Sequence, residues 1–225
     1  MRSLTSKLSR NEGEPMTNLN AISSTLDWSN FNATLVLEVT RPEGVFTSTA
    51  VAISPDTIVT AAHSLDGKVL KVRVSQDAEY TSKGKFIQVE SFEIHPDYNP
   101  KVSNFQNDIA KIKLKKPLPA NTMIYPLIKG PFSVDGNFIR LGYGTREGKN
   151  IRTLITPSFR GMKNFQNTLE LDDTFSFSGD SGGPVYLMRN GQMYLVAIHS
   201  TYSFGPEGKF SYNPMLSTHR NWLLK

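Results

Sequence analysis

From Leu35 onward the chain falls into short runs in which apolar and polar residues alternate: TLVLEV, TAVAIS, LKVRVS, FIQVESFEI and IAKIKL, divided by the turn formers RPEG, SPD and LDGK. A period of two turns one face of each run to a core and the other to water, which is the pattern of strands and not of helices. The alternation is cleanest in IAKIKL, where Ala110, Ile112 and Leu114 point inward and the lysines outward. A proline-rich passage, KKPLPANTMIYPLIKGP, interrupts the strands around residues 115 to 131 and marks a link between two halves. The second half resumes with NFIRLGYG, TLITPSF and TLELD, then the hairpin PVYLMRNGQMYLVAIHS, whose Asn190-Gly191 pair suits a two-residue turn with both residues at positive φ. In the closing NPMLSTHRNWLLK, Met215, Leu216, His219, Trp222 and Leu223 recur at helical spacing and predict a docked terminal helix. The expected fold is therefore all-β, with two small barrels of six strands each and one C-terminal helix. Residues 1–30 read as a polar tail or pro-segment, 31–125 as the first barrel, 126–213 as the second and 214–225 as the helix.

Composition removes several function classes. The absence of cysteine excludes disulfide frameworks, thiolate metal sites and thiol catalysis. The net charge of +5 raises the question of a nucleic-acid partner. The basic residues are nevertheless spread along the chain, and the densest run, Lys111, Lys113, Lys115 and Lys116, reads as the solvated face of a strand, so neither nucleic acid nor membrane is expected as a partner. No apolar run has the length of a membrane span, and the first 30 residues lack the apolar core of a signal peptide. No cofactor or metal is expected: Asp172 with Asp173, and Glu12 with Glu14, read as solvated loop residues.

Three short strings place polar side chains at the edges of apolar runs. TIVTAAHS puts His63 at the end of a strand, NFQNDIAKIKL puts Asp108 at the start of another, and SGDSGGPV puts Ser181 before the hairpin. The glycines of the last string free the backbone to turn its amides toward a bound group. A serine hydroxyl is a weak nucleophile near pH 7. It needs an imidazole to take its proton, and the imidazole needs a buried acceptor on its far nitrogen. A tetrahedral intermediate also needs fixed donors at its oxyanion. The amides of Gly179 and Ser181 supply them, at about 3 to 4 kcal/mol per donor.

In this order and spacing the strings TAAHS, NDIAKIKL and GDSGGPV resemble those of the chymotrypsin- or trypsin-like serine peptidases, and EIHPDYN, LGYGT and HRNWLLK extend the similarity over residues 33 to 225. The resemblance implies two Greek-key β-barrels. It makes Ser181 the nucleophile, His63 the general base and then acid, Asp108 the residue that orients His63, and Gly179 and Ser181 the oxyanion hole. It also implies a protein or peptide substrate, a monomer, and a secreted or periplasmic setting. His95, in a proline-flanked turn, and His219, on the terminal helix, are expected to be structural.

Two departures from the family pattern stand out. Animal members insert a freshly cut N-terminus, usually Ile-Val-Gly-Gly, to pair with the aspartate before the nucleophile, and that tetrapeptide is absent here. Either Asp180 awaits a terminus released near Ala21 or Ile22 by an activating protease, or it pairs locally. The second departure is in the specificity pocket. Trypsin-like enzymes hold an aspartate six residues before the nucleophile, where this chain has Phe175, so a preference for basic residues is not expected. Ser176, His199, Ser200 and Thr201 complete the pocket, and a histidine at His199 is similar to bacterial glutamyl endopeptidases, whose pocket reads a carboxylate. The lack of cysteine and the short span from GYG to Ser181 point to the same bacterial group. With Phe175 and Phe177 nearby, an apolar pocket is the alternative reading, and a catalytically inactive binding protein on the same fold is a further one.

Overall fold

The structure, a computed structural model, describes residues 27–102, 105–134, 136–163, 167–206 and 208–225. After a 3-10 turn at Trp28–Phe31, six strands form a closed barrel: β1 (Thr34–Arg41), β2 (Gly44–Ala52), β3 (Thr57–Thr60), β4 (Lys71–Ser75), β5 (Ile87–Ile94) and β6 (Ala110–Leu114), in the order β1-β2-β3-β6-β5-β4. Every neighbouring pair is antiparallel. The alternation sets the register. Leu35, Leu37, Val39, Ala50, Ala52, Ile58, Val72, Val74, Ala110, Ile112 and Leu114 fill the interior, while Lys113 stands outside and pairs with Asp56 at 2.5 Å.

The second half holds β7 (Asn137–Gly142), a two-residue-per-strand hairpin of β8 (Thr145–Arg146) and β9 (Lys149–Asn150), then β10 (Thr153–Ile155), β11 (Ser158–Lys163), β12 (Thr168–Asp172), β13 (Pro184–Arg189), β14 (Gln192–Ile198), β15 (Thr201–Gly205) and β16 (Gly208–Pro214). Its main strands pair as two four-stranded sheets, β10-β7-β13-β14 and β11-β12-β16-β15. The pairing still follows a ring of six strands, with two of the six broken. Pro157, which has no N–H to give a ladder, separates β10 from β11. His199 and Ser200 separate β14 from β15, because His199 turns its backbone to the loop before β13: its N–H donates to the Gly183 carbonyl at 2.7 Å and its carbonyl accepts from Gly182 at 2.6 Å. Phe138, Leu169, Leu171, Val185, Leu187 and Val196 from both sheets share one core. The β13–β14 turn carries Asn190 at φ 49° and Gly191 at φ 74°, the pair of positive values its sequence predicts.

The terminal helix α1 (Leu216–Leu223) buries Leu216, His219 and Leu223. His219 lies edge-on to His95, with ring centroids 4.9 Å apart, and its Nε2 sits 3.1 Å from the Asn107 side chain. Both histidines thus clamp the helix beside the loop that leads to Asp108, and neither reaches the site. The tail reading and the proposed new terminus near Ala21 fall on residues 1–26, outside the described residues.

Candidate active site

His63 sits in a 3-10 turn, Ala62–Ser64, just past the end of β3, and Asp108 lies two residues before β6, the strand paired with β3. Adjacent strands thus bring the two side chains together from positions 45 residues apart. The His63 backbone N–H donates to Asp108 Oδ1 at 2.8 Å, and its ring Nδ1 lies 2.7 Å from Oδ2. An ionised carboxylate only accepts, so Nδ1 carries the proton and Nε2 is left as the acceptor facing Ser181 Oγ at 2.9 Å. Ser200 Oγ donates to Asp108 Oδ2 at 2.5 Å, a contact that sequence reading did not assign to it. Burial alone would raise the Asp108 pKa, but the bonds from His63 and Ser200 overcome this and hold it below the ordinary value. Burial would likewise lower His63, and the Asp108 carboxylate overcomes that and raises it above 6.5.

The loop from Ser178 to Gly183 is moulded by the first barrel. Thr49 of β2 donates its N–H to the Ser181 carbonyl and its Oγ1 to the Gly179 carbonyl, each at 2.8 Å, and Ser48 Oγ also donates to the Ser181 carbonyl at 2.7 Å. With these carbonyls tied back, the amides of Gly179 and Ser181 have no partner among the described residues and remain available to a ligand. Gly182 is at φ +81°, and a Cβ there would meet the Thr49 carbonyl at 2.1 Å, so this position requires glycine. Thr49 and Ser48 were not legible as site residues, since they occupy the middle of an ordinary strand.

Of the residues read as a pocket, Phe175, Ser176 and His199 lie around an ionic centre that the sequence did not announce, whereas Ser200 and Thr201 face the cleft beside His63. Arg140 of β7 is fully buried and donates to Asp173 at 2.6 and 3.1 Å and to Ser176 Oγ at 3.2 Å. Asp173 is therefore not the solvated loop residue expected: it is 1% exposed, and although burial would raise its pKa, the Arg140 guanidinium holds it down at about 2. Asp180 also has partners within the chain, Arg146 at 2.8 Å and Arg140 at 3.4 Å, together with the Gly144 amide at 2.7 Å. Of the two expectations for Asp180, these contacts match local pairing, while the terminus near Ala21 lies outside the described residues. His199 is 1% exposed, with Nδ1 3.3 Å from Asn213 Oδ1 and Nε2 3.5 Å from Ser176 Oγ. Burial, helped by Arg140, pushes its pKa down to about 4, so it is neutral at pH 7. Phe175 is half-buried, and its carbonyl accepts from Arg146 at 2.8 Å. Thr201 lines a cleft of about 240 Å³ with His63, Tyr98, Val102, Phe105 and Ser200.

Lys209 of β16 was missed as well. Its ammonium donates to the Ser176 carbonyl and lies 4.0, 4.9 and 5.1 Å from the ring centres of Tyr202, Phe177 and Phe204. Its distance from Ser176 in sequence, 33 residues, hid it.

The raised His63 pKa has a measurable consequence. The imidazole accepts the serine proton only when neutral, so reaction at Ser181 should fall on the acid side with a midpoint above 6.5. The pH profile of inactivation by a serine-directed phosphonate checks this, and a midpoint below 6.5 would contradict it.

Comparison with known proteins agrees with this geometry. Two curated relatives, both named trypsin, are 39% identical over 75 residues (from Sarcophaga bullata) and 35% identical over 79 residues (from Phaedon cochleariae). These stretches cover 32% and 33% of this chain, but only 28% and 30% of the relatives. Both relatives come from insects and give the bacterial, glutamyl-type reading no support. Among solved structures, the scabies mite inactivated protease paralogue S-I1 superposes with a TM-score of 0.72 over 88% of this chain and 95% of that one, at 16% identity, which establishes a shared fold. The trypsin family model matches residues 29–216, a span that contains His63, Asp108, Ser181 and both halves of the fold, and the chain belongs to the trypsin family.

Proposed function

We propose that this chain is a serine endopeptidase acting on protein or peptide substrates, with Ser181 as nucleophile. The observation that carries the reading is the continuous line from Ser181 Oγ to His63 Nε2 at 2.9 Å and from Nδ1 to Asp108 at 2.7 Å, beside two unoccupied amides. Ser181 Oγ attacks the scissile carbonyl carbon while His63 Nε2 takes its proton. The oxyanion rests on the Gly179 and Ser181 amides, and Asp108 stabilises the imidazolium. His63 then returns the proton to the leaving amine, leaving Ser181 acylated. Water, deprotonated by His63, releases the acid. Incubation of the chain with an unstructured protein, followed by mass analysis of the fragments, tests the reading; intact substrate would overturn it.

A preference for Glu or Asp before the scissile bond belongs to the same proposal. The Lys209 ammonium, which donates to the Ser176 carbonyl, offers positive charge to a carboxylate and connects through Ser176 to His199, whereas Phe175 offers a basic side chain no counter-charge. Because His199 is neutral at pH 7, a bound carboxylate has to raise its pKa to gain a charged partner there. A peptide series varying only this residue through Glu, Leu and Arg should give kcat/KM at least about tenfold higher for Glu, the scale of one charge-assisted bond. The rings of Phe177, Tyr202 and Phe204 favour the second reading, an apolar preference, and equal rates for Glu and Leu would select it.

A further inference from the structure

Asp180, the residue before Ser181, has both carboxylate oxygens occupied. Oδ1 accepts from the Gly144 amide at 2.7 Å and from Arg146 Nη1 at 3.3 Å, and Oδ2 accepts from the Phe177 amide at 2.9 Å and from Arg146 Nη2 at 2.8 Å. Arg146 also donates to the carbonyls of Phe175 at 2.8 Å and Gly144 at 3.0 Å, so one guanidinium ties the carboxylate to both segments that flank it. Arg140 approaches Asp180 only at 3.4 Å, because its short contact is spent on Asp173. The space is full: a Cβ on Gly142 or Gly144 would lie 2.2 or 2.7 Å from the Asp180 carboxylate.

Arg146 is itself held in place. It sits on the β8–β9 hairpin, whose Thr145 N–H donates to the Ser178 carbonyl at 2.8 Å and whose Asn150 donates to the Tyr143 carbonyl at 2.8 Å. The far side of the hairpin is tied to the first barrel through the Tyr80 N–H, which donates to the Asn150 carbonyl at 2.8 Å. The Asp180 backbone links this cluster to the reacting groups, since its N–H donates to Phe177 and its carbonyl accepts from Gly183. Moving the carboxylate would therefore turn the peptides of Gly179 and Ser181.

We infer that Arg146 is a positioning residue, a built-in counter-ion that holds Asp180 and thereby the oxyanion-binding amides, so that the site assembles without a released N-terminus. The inference rests on the serine peptidase reading. Without Arg146, two buried carboxylates, Asp173 and Asp180, share the single Arg140 guanidinium. Asp180 then takes up a proton or swings toward water, and the loop loses its form.

The test uses the full chain from Met1, a chain starting at Ala21, and the Arg146→Ala and Arg146→Lys variants of the full chain. Each is followed by the rate of fluorophosphonate labelling, intact mass, kcat and KM, and thermal midpoint. The full chain should be labelled at its unprocessed mass and at the same rate as the shortened one. Arg146→Ala should lower kcat and the labelling rate by about 100-fold, the scale of an ångström-sized misplacement, with KM little changed. Added guanidinium should restore much of the loss, and Arg146→Lys should fall between, because an ammonium cannot span both oxygens. Labelling of wild type only after loss of N-terminal residues overturns the inference while leaving the peptidase reading intact. So does an Arg146→Ala variant that is folded and labelled at the wild-type rate, or one that guanidinium does not rescue. Wild type unlabelled in both lengths overturns the peptidase reading and this inference together.

Discussion

Ser181→Ala should lower kcat by about a millionfold while leaving the fold and the thermal midpoint essentially unchanged. The size follows from the chemistry: with the nucleophile gone no acyl intermediate forms, and the two amides and the substrate contacts alone supply only about 10³- to 10⁴-fold over water. The small structural cost follows from the contacts of the hydroxyl, which are His63 at 2.9 Å and the Ser200 carbonyl at 3.2 Å, both at the edge of the open cleft. His63→Ala should cost about as much, and the double variant little more, because a proton acceptor without its donor does nothing. Steady-state kinetics on a peptide substrate, with active-site titration of the wild type, measures the drop. A loss below about 100-fold would mean that hydrolysis does not pass through Ser181.

The largest effect on stability should come from Arg140→Ala. This side chain is wholly inside the protein, between Asp173 at 2.6 Å and Asp180 at 3.4 Å, both also inaccessible to water. Removing it leaves Asp173 without its counter-ion and Asp180 with Arg146 as its charged partner beside the Gly144 and Phe177 amides, a change worth about 3 to 5 kcal/mol. For a chain of this size that is roughly a 6 to 20 °C fall in thermal midpoint. The same ion pair sets an acid limit. Asp173 is depressed from 3.8 to about 2, so its contribution is present above pH 3.8 and is lost as pH falls from there through 2. At 1.36 kcal/mol per unit this is about 2 to 3 kcal/mol. Thermal melts at pH 7 and pH 3 should show wild type losing more than Arg140→Ala over that range. An Arg140→Ala variant within 1 kcal/mol of wild type would contradict the assignment of this centre as a fixed ion pair.

The parts of the site that were legible in the sequence are those whose signal is local. His63, Asp108 and Ser181 each stand at the edge of an apolar run, and the strand that positions each of them lies next to it in the chain. The first barrel was readable for the same reason, since alternation identifies both a strand and its buried face. Residues recruited across the fold left weaker marks. Arg140 falls on the same face of NFIRLG as Phe138, but Ile139 and Leu141 make the other face equally apolar, so no alternation marked the charge as inward or called for its buried partner. That partner, Asp173, looked solvated because it follows another aspartate. The β8–β9 hairpin is too short for a period to show, and its turn is marked only by Glu147 and Gly148, at φ 50° and 75°. Thr49 and Lys209 carry no local signal, because what they do depends on which carbonyl lies opposite them in space.

The most direct measurement is fluorophosphonate labelling of the folded chain at pH 8, followed by intact and peptide mass, with Ser181→Ala and a denatured sample as controls. One adduct, located on Ser181 and absent from both controls, is the expected result, since it requires an activated hydroxyl and an assembled oxyanion hole at once. A folded chain that takes up no adduct, or takes it up elsewhere, would contradict the claim that these residues form a working catalytic centre.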